Sequence, residues 1–192
     1  MAKQEYKNSI QSKRKIASAY LNLLINNQNN LNVTEIVKLA GINRGTFYLH
    51  FDNIQSVAKY IENELAGNFK HIEQEFRLTE IDKTPELVLD KLNEILYKDI
   101  HYYQLIIQAS TTENLMDKLK TIILNSIENN FKVMRYVTNY ERFKMVVQYI
   151  VGGAIEVYIN WLKGKLDCRL EDVRDFLSTI IKDGLKGCIN YG

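Results

Sequence analysis

NVTEIVKLAGINRGTFYLHFDNI, residues 32–54, holds two short helical patterns joined by a turn. Val33, Ile36, Val37 and Ala40 fall at helical spacing on one face. Gly41 supplies the permissive backbone that ends a helix, and Ile42 returns to the core. Asn43 has the short polar side chain that caps a new helix, whose first turn is Arg44, Gly45 and Thr46. This order is that of a helix-turn-helix, in which the N-terminal part of the second helix meets base edges in the major groove. Arg44 is the strongest candidate for reading a base, since its guanidinium donates two parallel hydrogen bonds to guanine; a phosphate contact is the other reading. Thr46 suits a phosphate or a thymine methyl.

The 192 residues suit one compact domain or a small domain joined to a larger one. Hydrophobic residues make up 46%, enough for a packed core, while one Pro and nine Gly leave long periodic segments unpunctuated. That composition favours an all-α protein. The charge is uneven. Residues 1–60 hold eight basic and three acidic side chains, net +5; the remainder holds 17 basic and 20 acidic, net −3. A basic end on a mildly acidic body fits a nucleic-acid reader with a separate regulatory part.

Several function classes find no support. His50, His71 and His101 form no metal-ligand pattern, and no P-loop, G-x-G-x-x-G or G-x-S-x-G is present, so no enzyme, metal or cofactor is expected. Cys168 and Cys188 are far apart, without C-x-x-C, and read as free thiols of a cytoplasmic protein. No targeting segment is visible. The apolar stretch 145–162 is interrupted by Gln148, Glu156 and Asn160, which argues against a membrane span.

Thr46-Phe47-Tyr48-Leu49-His50-Phe51 after Gly41-Ile42 resembles, position by position, the DNA-binding unit of the TetR family of bacterial transcriptional regulators. The similarity runs from the helix before it, 13–25, to the start of the one after, 54–64. The resemblance implies phosphate contacts for Tyr48 and His50 and a position near the DNA backbone for Thr34, also a capping residue type. Asn43 serves as cap or contact. Gly45 is expected where a larger side chain would collide with the duplex or with the second helix. Phe47 and Phe51 belong to the small core. One position departs from the pattern: Ile54 stands where the family carries a phosphate-binding Lys, a loss that Lys13, Lys15 or a basic N-terminal arm, 3–15, would offset.

The Asn-rich run 26–30 reads as a helix stop, Asp52 as the cap of a helix running to about Phe76, and Thr84-Pro85-Glu86 as a helix opening. Helical patterns continue through 86–97, 100–109, 113–136, 140–163 and 171–189, nine helices in all. Domain one is expected at 1–54, a three-helix DNA-binding head, and domain two at 55–192, a helical bundle for effector binding and dimerisation. The last helix carries an apolar stripe of Val173, Phe176, Leu177, Ile180, Ile181 and Leu185; the one before is apolar nearly all round. Gly152-Gly153 within it suits close approach of a helix or a ligand. The segment GGAIEVYINWLKGK is also similar to the C-terminal half of TetR-type regulators, in particular those related to dihydroxyacetone-kinase operons. That similarity implies a homodimer through the last two helices, here Ile150, Gly153, Tyr158, Phe176 and Ile180.

The family further implies a small-molecule effector held inside the body, with Tyr97, His101, Tyr102 and Trp161 as candidate lining residues. Phe131, Met134, Met145 and Tyr149 belong to the same aromatic and Met-rich set, which serves equally as helical core. The function expected is a ligand-responsive repressor that binds a palindromic double-stranded DNA operator as a homodimer. The alternatives are an activator of the same family, or a small-molecule-binding protein of this fold that has lost operator binding.

Overall fold

The computed structural model describes residues 2–26, 31–76, 84–109, 112–128 and 134–189. Among them are nine helices: α1 (Ala2–Ile25), α2 (Val33–Ala40), α3 (Arg44–His50), α4 (Ile54–Phe76), α5 (Thr84–Lys98), α6 (Ile100–Gln108), α7 (Thr112–Glu128), α8 (Tyr140–Leu162) and α9 (Leu170–Leu185). The fold is all-α; extended pairing among the described residues is confined to isolated bridges at Ile189.

The described chain divides into two compact units, Met1–Leu65 with Gln104–Thr112, and Ala66–Tyr103 with Glu113–Gly192. In the first, α1 packs on α2 and α3, and α2 on α3. Ile16, Ile36, Phe47 and Val57 have no solvent exposure. In the second, α9 packs on α5 and α8. Phe143, Val147 and Val151 from α8 form an apolar cluster with Cys188 and Ile189.

Local chemistry explains most boundaries, and four differ from the sequence expectation. The basic arm is not separate from α1: the helix begins at Ala2, because 2–15 contains no Pro or Gly to stop it. The cap of α4 is Asn53, not Asp52. Asn53 Oδ1 accepts from Ser56 N at 2.9 Å while Ser56 Oγ accepts from Asn53 N at 3.3 Å, a reciprocal pair that Asp52 is placed one residue too early to make. The pattern over 113–136 is not one helix, since α7 ends at Glu128 and Arg135-Tyr136 lie in a turn.

The last helix stops at Leu185 rather than running to Ile189. Gly187 has φ +82°, and the chain turns so that Ile189 bridges Val137 and Thr138 N donates to the Cys188 carbonyl at 3.0 Å. The Asn cluster at 27–30, the connection 78–83 and Phe131 lie outside the described residues, and the expected Thr84 cap falls outside the described side chains.

Candidate nucleic-acid interface

Two asparagine caps and one glycine build the head's turn. Asn32, in an extended conformation, accepts from Glu35 N at 3.0 Å and starts α2. Gly41 at φ +63° ends it in a Schellman arrangement: its own N–H reaches the Lys38 carbonyl, and Ile42 N reaches Val37 O at 3.0 Å. Only a residue at ease in the left-handed region holds that turn cheaply. Asn43 then accepts from Thr46 N at 2.7 Å and from Thr46 Oγ1 at 3.0 Å, fixing the first turn of α3.

The caps decide which side chains point outward. Phe47 is fully buried and packs edge-on against Tyr48, with ring centroids 5.4 Å apart; Phe51 continues the ladder to Tyr60 at 5.6 Å. With that face turned inward, Arg44, Gly45, Tyr48 and Leu49 are left exposed. Residues 44 and 48, and 45 and 49, are i, i+4 pairs, so the exposed surface is a two-row strip along one side of a seven-residue helix.

The predicted contact residues meet in three pairs. Arg44 Nη2 donates to Thr34 Oγ1 at 2.5 Å, joining the starts of α2 and α3. Thr46 and Asn43 share the cap just described. His50, half-buried at the end of α3, is held below the ordinary imidazole range by burial and by the nearby Lys13 ammonium. Lys13 also lies over the Tyr60 ring, 5.9 Å from its centroid. Lys15 does not join this group. Two residues apart on a continuous helix, its side chain leaves α1 about 200° around the axis from Lys13.

Gly45 meets its own cap rather than helix α2. A Cβ there would stand 3.3 Å from Asn43 Oδ1. Leu49, absent from the sequence-derived candidates, is 78% exposed on the recognition strip, an apolar side chain with no core to fill. Its signal in the sequence is the i+4 spacing from Gly45.

In the second unit the expected ligand-lining residues differ in exposure. Tyr97 and His101 stand on the surface, and Tyr97 donates its hydroxyl to Glu171 at 2.7 Å. That bond to the carboxylate is the main cause of the phenol's raised pKa. Tyr102 is buried edge-on against Tyr103 at 5.8 Å. Trp161 is half-buried, its indole N–H committed to the Cys168 carbonyl at 2.9 Å.

Residues expected between two copies divide as well. Gly153, Phe176 and Ile180 are exposed, and a Cβ built on Gly153 would meet nothing within 4 Å beyond its chain neighbours and its own helix backbone. Met145 and Tyr149, placed with the core set from sequence, are 65% and 79% exposed on α8. Tyr158 is corrected to an interior position: it is buried and bonded to Asn93 Oδ1 within its own bundle. Ile150 is half-buried against Gly184 of α9. Among described residues, α8 has the length and apolar composition of a membrane span, and 28% of its apolar window is buried inside the protomer. Cys168 is exposed and Cys188 buried, both as free thiols.

The family profile for the C-terminal region of TetR-type transcriptional regulators matches residues 83–183, just over half the chain. The chain belongs to the TetR family of transcriptional regulators. It is 23% identical over 170 residues to the HTH-type transcriptional regulator YerO of Bacillus subtilis (strain 168). That match takes in 81% of this chain but spans only 57% of the relative's length. The fold is similar to the crystal structure of a TetR-family transcriptional regulator from Streptomyces coelicolor, with TM-score 0.54, 16% identity and 90% and 78% of the two chains covered. A TetR transcriptional regulator from Streptococcus agalactiae 2603V aligns over 94% and 99% of the chains, with TM-score 0.48 and 19% identity.

Proposed function

We propose that this chain is a cytoplasmic, non-enzymatic, ligand-responsive repressor that binds a palindromic operator as a homodimer. Residues 1–54 read the DNA; residues 55–192 bind the effector and hold two copies together. The observation that carries this reading is the exposed strip on α3, where Arg44, Tyr48 and Leu49 face outward because two Asn caps and buried Phe47 fix the helix.

Arg44 reads a guanine, Leu49 packs on thymine methyls, and Tyr48, His50 and Lys13 reach phosphates. Thr46 and Asn43 serve first as the cap that holds this surface, and Gly45 lets it approach the groove. Two identical heads make a symmetric site, so the operator is a palindrome. Gly153, Tyr149, Phe176 and Ile180 supply the apolar surface that a second copy covers.

The test is selection of genome fragments by the purified protein, followed by titration of the enriched duplex at two salt concentrations. A palindrome bound far more tightly than random duplex, with that preference lost in Arg44→Ala, is expected. Equal binding to every duplex would overturn the reading.

A further inference from the structure

We infer that Thr34 is a positioning residue for base reading: its hydroxyl holds the Arg44 guanidinium and couples it to the phosphate backbone. The inference rests on the DNA-binding reading of the head and extends it from which residues meet DNA to how two of them act together.

Thr34 lies in the first turn of α2 and Arg44 opens α3. Ten residues apart, they meet because the Gly41 turn and the Asn43 cap fold the two helix starts together, and Arg44 Nη2 donates to Thr34 Oγ1. Both residues are exposed, so crowding of a core does not force the contact.

The hydrogen-bond inventory makes the pair useful. A guanidinium carries five N–H donors in a plane, and the bond to Thr34 uses one of them. Whichever Nη2 hydrogen Thr34 takes, the other forms a parallel fork with Nη1 or with Nε, the geometry that guanine O6 and N7 accept. The Thr34 hydroxyl, having accepted from Arg44, keeps its own proton for a phosphate oxygen. Threonine thus stands between backbone and base reader.

A threonine that touched only phosphate would strengthen binding to every duplex alike. One that also aims Arg44 adds discrimination, because a long flexible side chain already held in place loses less freedom on binding.

The experiment uses the full chain and the operator selected above, with a second duplex in which one G·C pair is exchanged. The pair chosen is one whose exchange weakens the wild type but not Arg44→Ala. Thr34→Val, Thr34→Ser, Arg44→Ala and the Thr34→Val/Arg44→Ala double variant are titrated on both duplexes, after thermal melts confirm folding.

Thr34→Val is expected to weaken both duplexes but the operator more, lowering the affinity ratio roughly tenfold. Thr34→Ser, which keeps the hydroxyl, restores the ratio, and Thr34→Val adds no further loss of ratio once Arg44 is gone. Equal weakening of both duplexes by Thr34→Val overturns the inference, as does multiplication of the two losses in the double variant. So does the absence of any pair that Arg44 discriminates. A wild type that discriminates between no duplexes overturns the inference together with the DNA-binding reading, and the wild-type titration separates that outcome from the others.

Discussion

Tyr158 on α8 donates its phenolic hydrogen to Asn93 Oδ1 on α5 across 2.8 Å, and Asn93 Nδ2 donates in turn to the Leu170 carbonyl at the start of α9, at 3.1 Å. One buried amide therefore ties three helices together. Asp90 and Arg174 pair beside it in a two-point contact, Nε to Oδ1 at 2.7 Å and Nη2 to Oδ2 at 3.0 Å. Burial first, and then the Asp90 carboxylate, raise the Tyr158 pKa above its ordinary 10.0, against the lowering effect of Arg174. The phenol stays a donor.

Removing that donor leaves Asn93 Oδ1 without its Tyr158 partner in the interior. Tyr158→Phe is expected to cost about 1–3 kcal/mol, because a buried unpaired acceptor forfeits its hydration without return. Urea unfolding measures the loss. A cost within error of zero would show that another group or a water takes over the bond.

A second tyrosine reports on the head. The Tyr60 hydroxyl is pushed up to about 12, by burial foremost and by the adjacent Glu64, with Arg14 opposing. Arg14 and Glu64 themselves form an ion pair between α1 and α4. A raised folded-state pKa means the unfolded chain releases this proton first as pH rises. Its contribution is present below about pH 10 and is lost between there and about 12. Tyr60→Phe is expected to flatten that part of the alkaline stability profile. An unchanged slope in the variant would assign the effect elsewhere.

Most of this architecture is legible in the sequence because helices announce themselves by period. Asn32, Gly41 and Asn43 are local signals, each acting within a few residues, and they fix α2, the turn and α3. What the sequence hides is long-range. The end of α9 depends on Cys188 being buried and Ile189 bridging Val137, some fifty residues away. Asp52 and Asn53 are equally good capping types, and only the reciprocal bonds with Ser56 separate them. Apolar periodicity likewise marks Tyr158 and Phe176 alike, although one faces its own bundle and the other faces out. Periodicity gives a face, not its partner.

Gly184 shows how tightly α9 sits on α8. A Cβ built there would lie 2.9 Å from Ile150 Cδ1. Alanine at this helical position gains about 1 kcal/mol in propensity, while overpacking costs about 1–3 kcal/mol. Gly184→Ala is therefore expected to be neutral to destabilising in the wild type. With Ile150→Val, which removes the colliding methyl, the same change should stabilise by about 0.5–1 kcal/mol relative to Ile150→Val alone. Paired thermal melts check the reversal of sign. The same sign in both backgrounds would mean that this methyl is not the obstacle.

Phe176 and Tyr149 are 56% and 79% exposed, so a charge at either need not disturb the protomer's interior. It would disturb a second copy laid over them. Phe176→Asp and Tyr149→Asp are expected to halve the solution mass measured by light scattering, with helical content retained, and to abolish tight operator binding. A wild type that is already monomeric at the concentrations that bind DNA would remove the proposed interface, and with it the reason for a palindrome.

The proposed phosphate contact at His50 carries its own pH signature. In the free head, burial and Lys13 hold the imidazole pKa below 6.5, so His50 is neutral near pH 7 and protonates only with difficulty. For folding, the unfolded chain takes up this proton first, so the residue costs stability as pH falls below 6.5 through the folded value. A phosphate beside the ring reverses the preference, because it favours the cationic form. Binding then takes up a proton, and operator affinity should rise as pH falls from about 7.5 to about 5.5 at fixed salt. His50→Gln keeps a hydrogen-bond donor but cannot titrate, and its affinity should vary less over that range. If wild type and His50→Gln tighten equally on acidification, the proton enters elsewhere and His50 does not meet a phosphate.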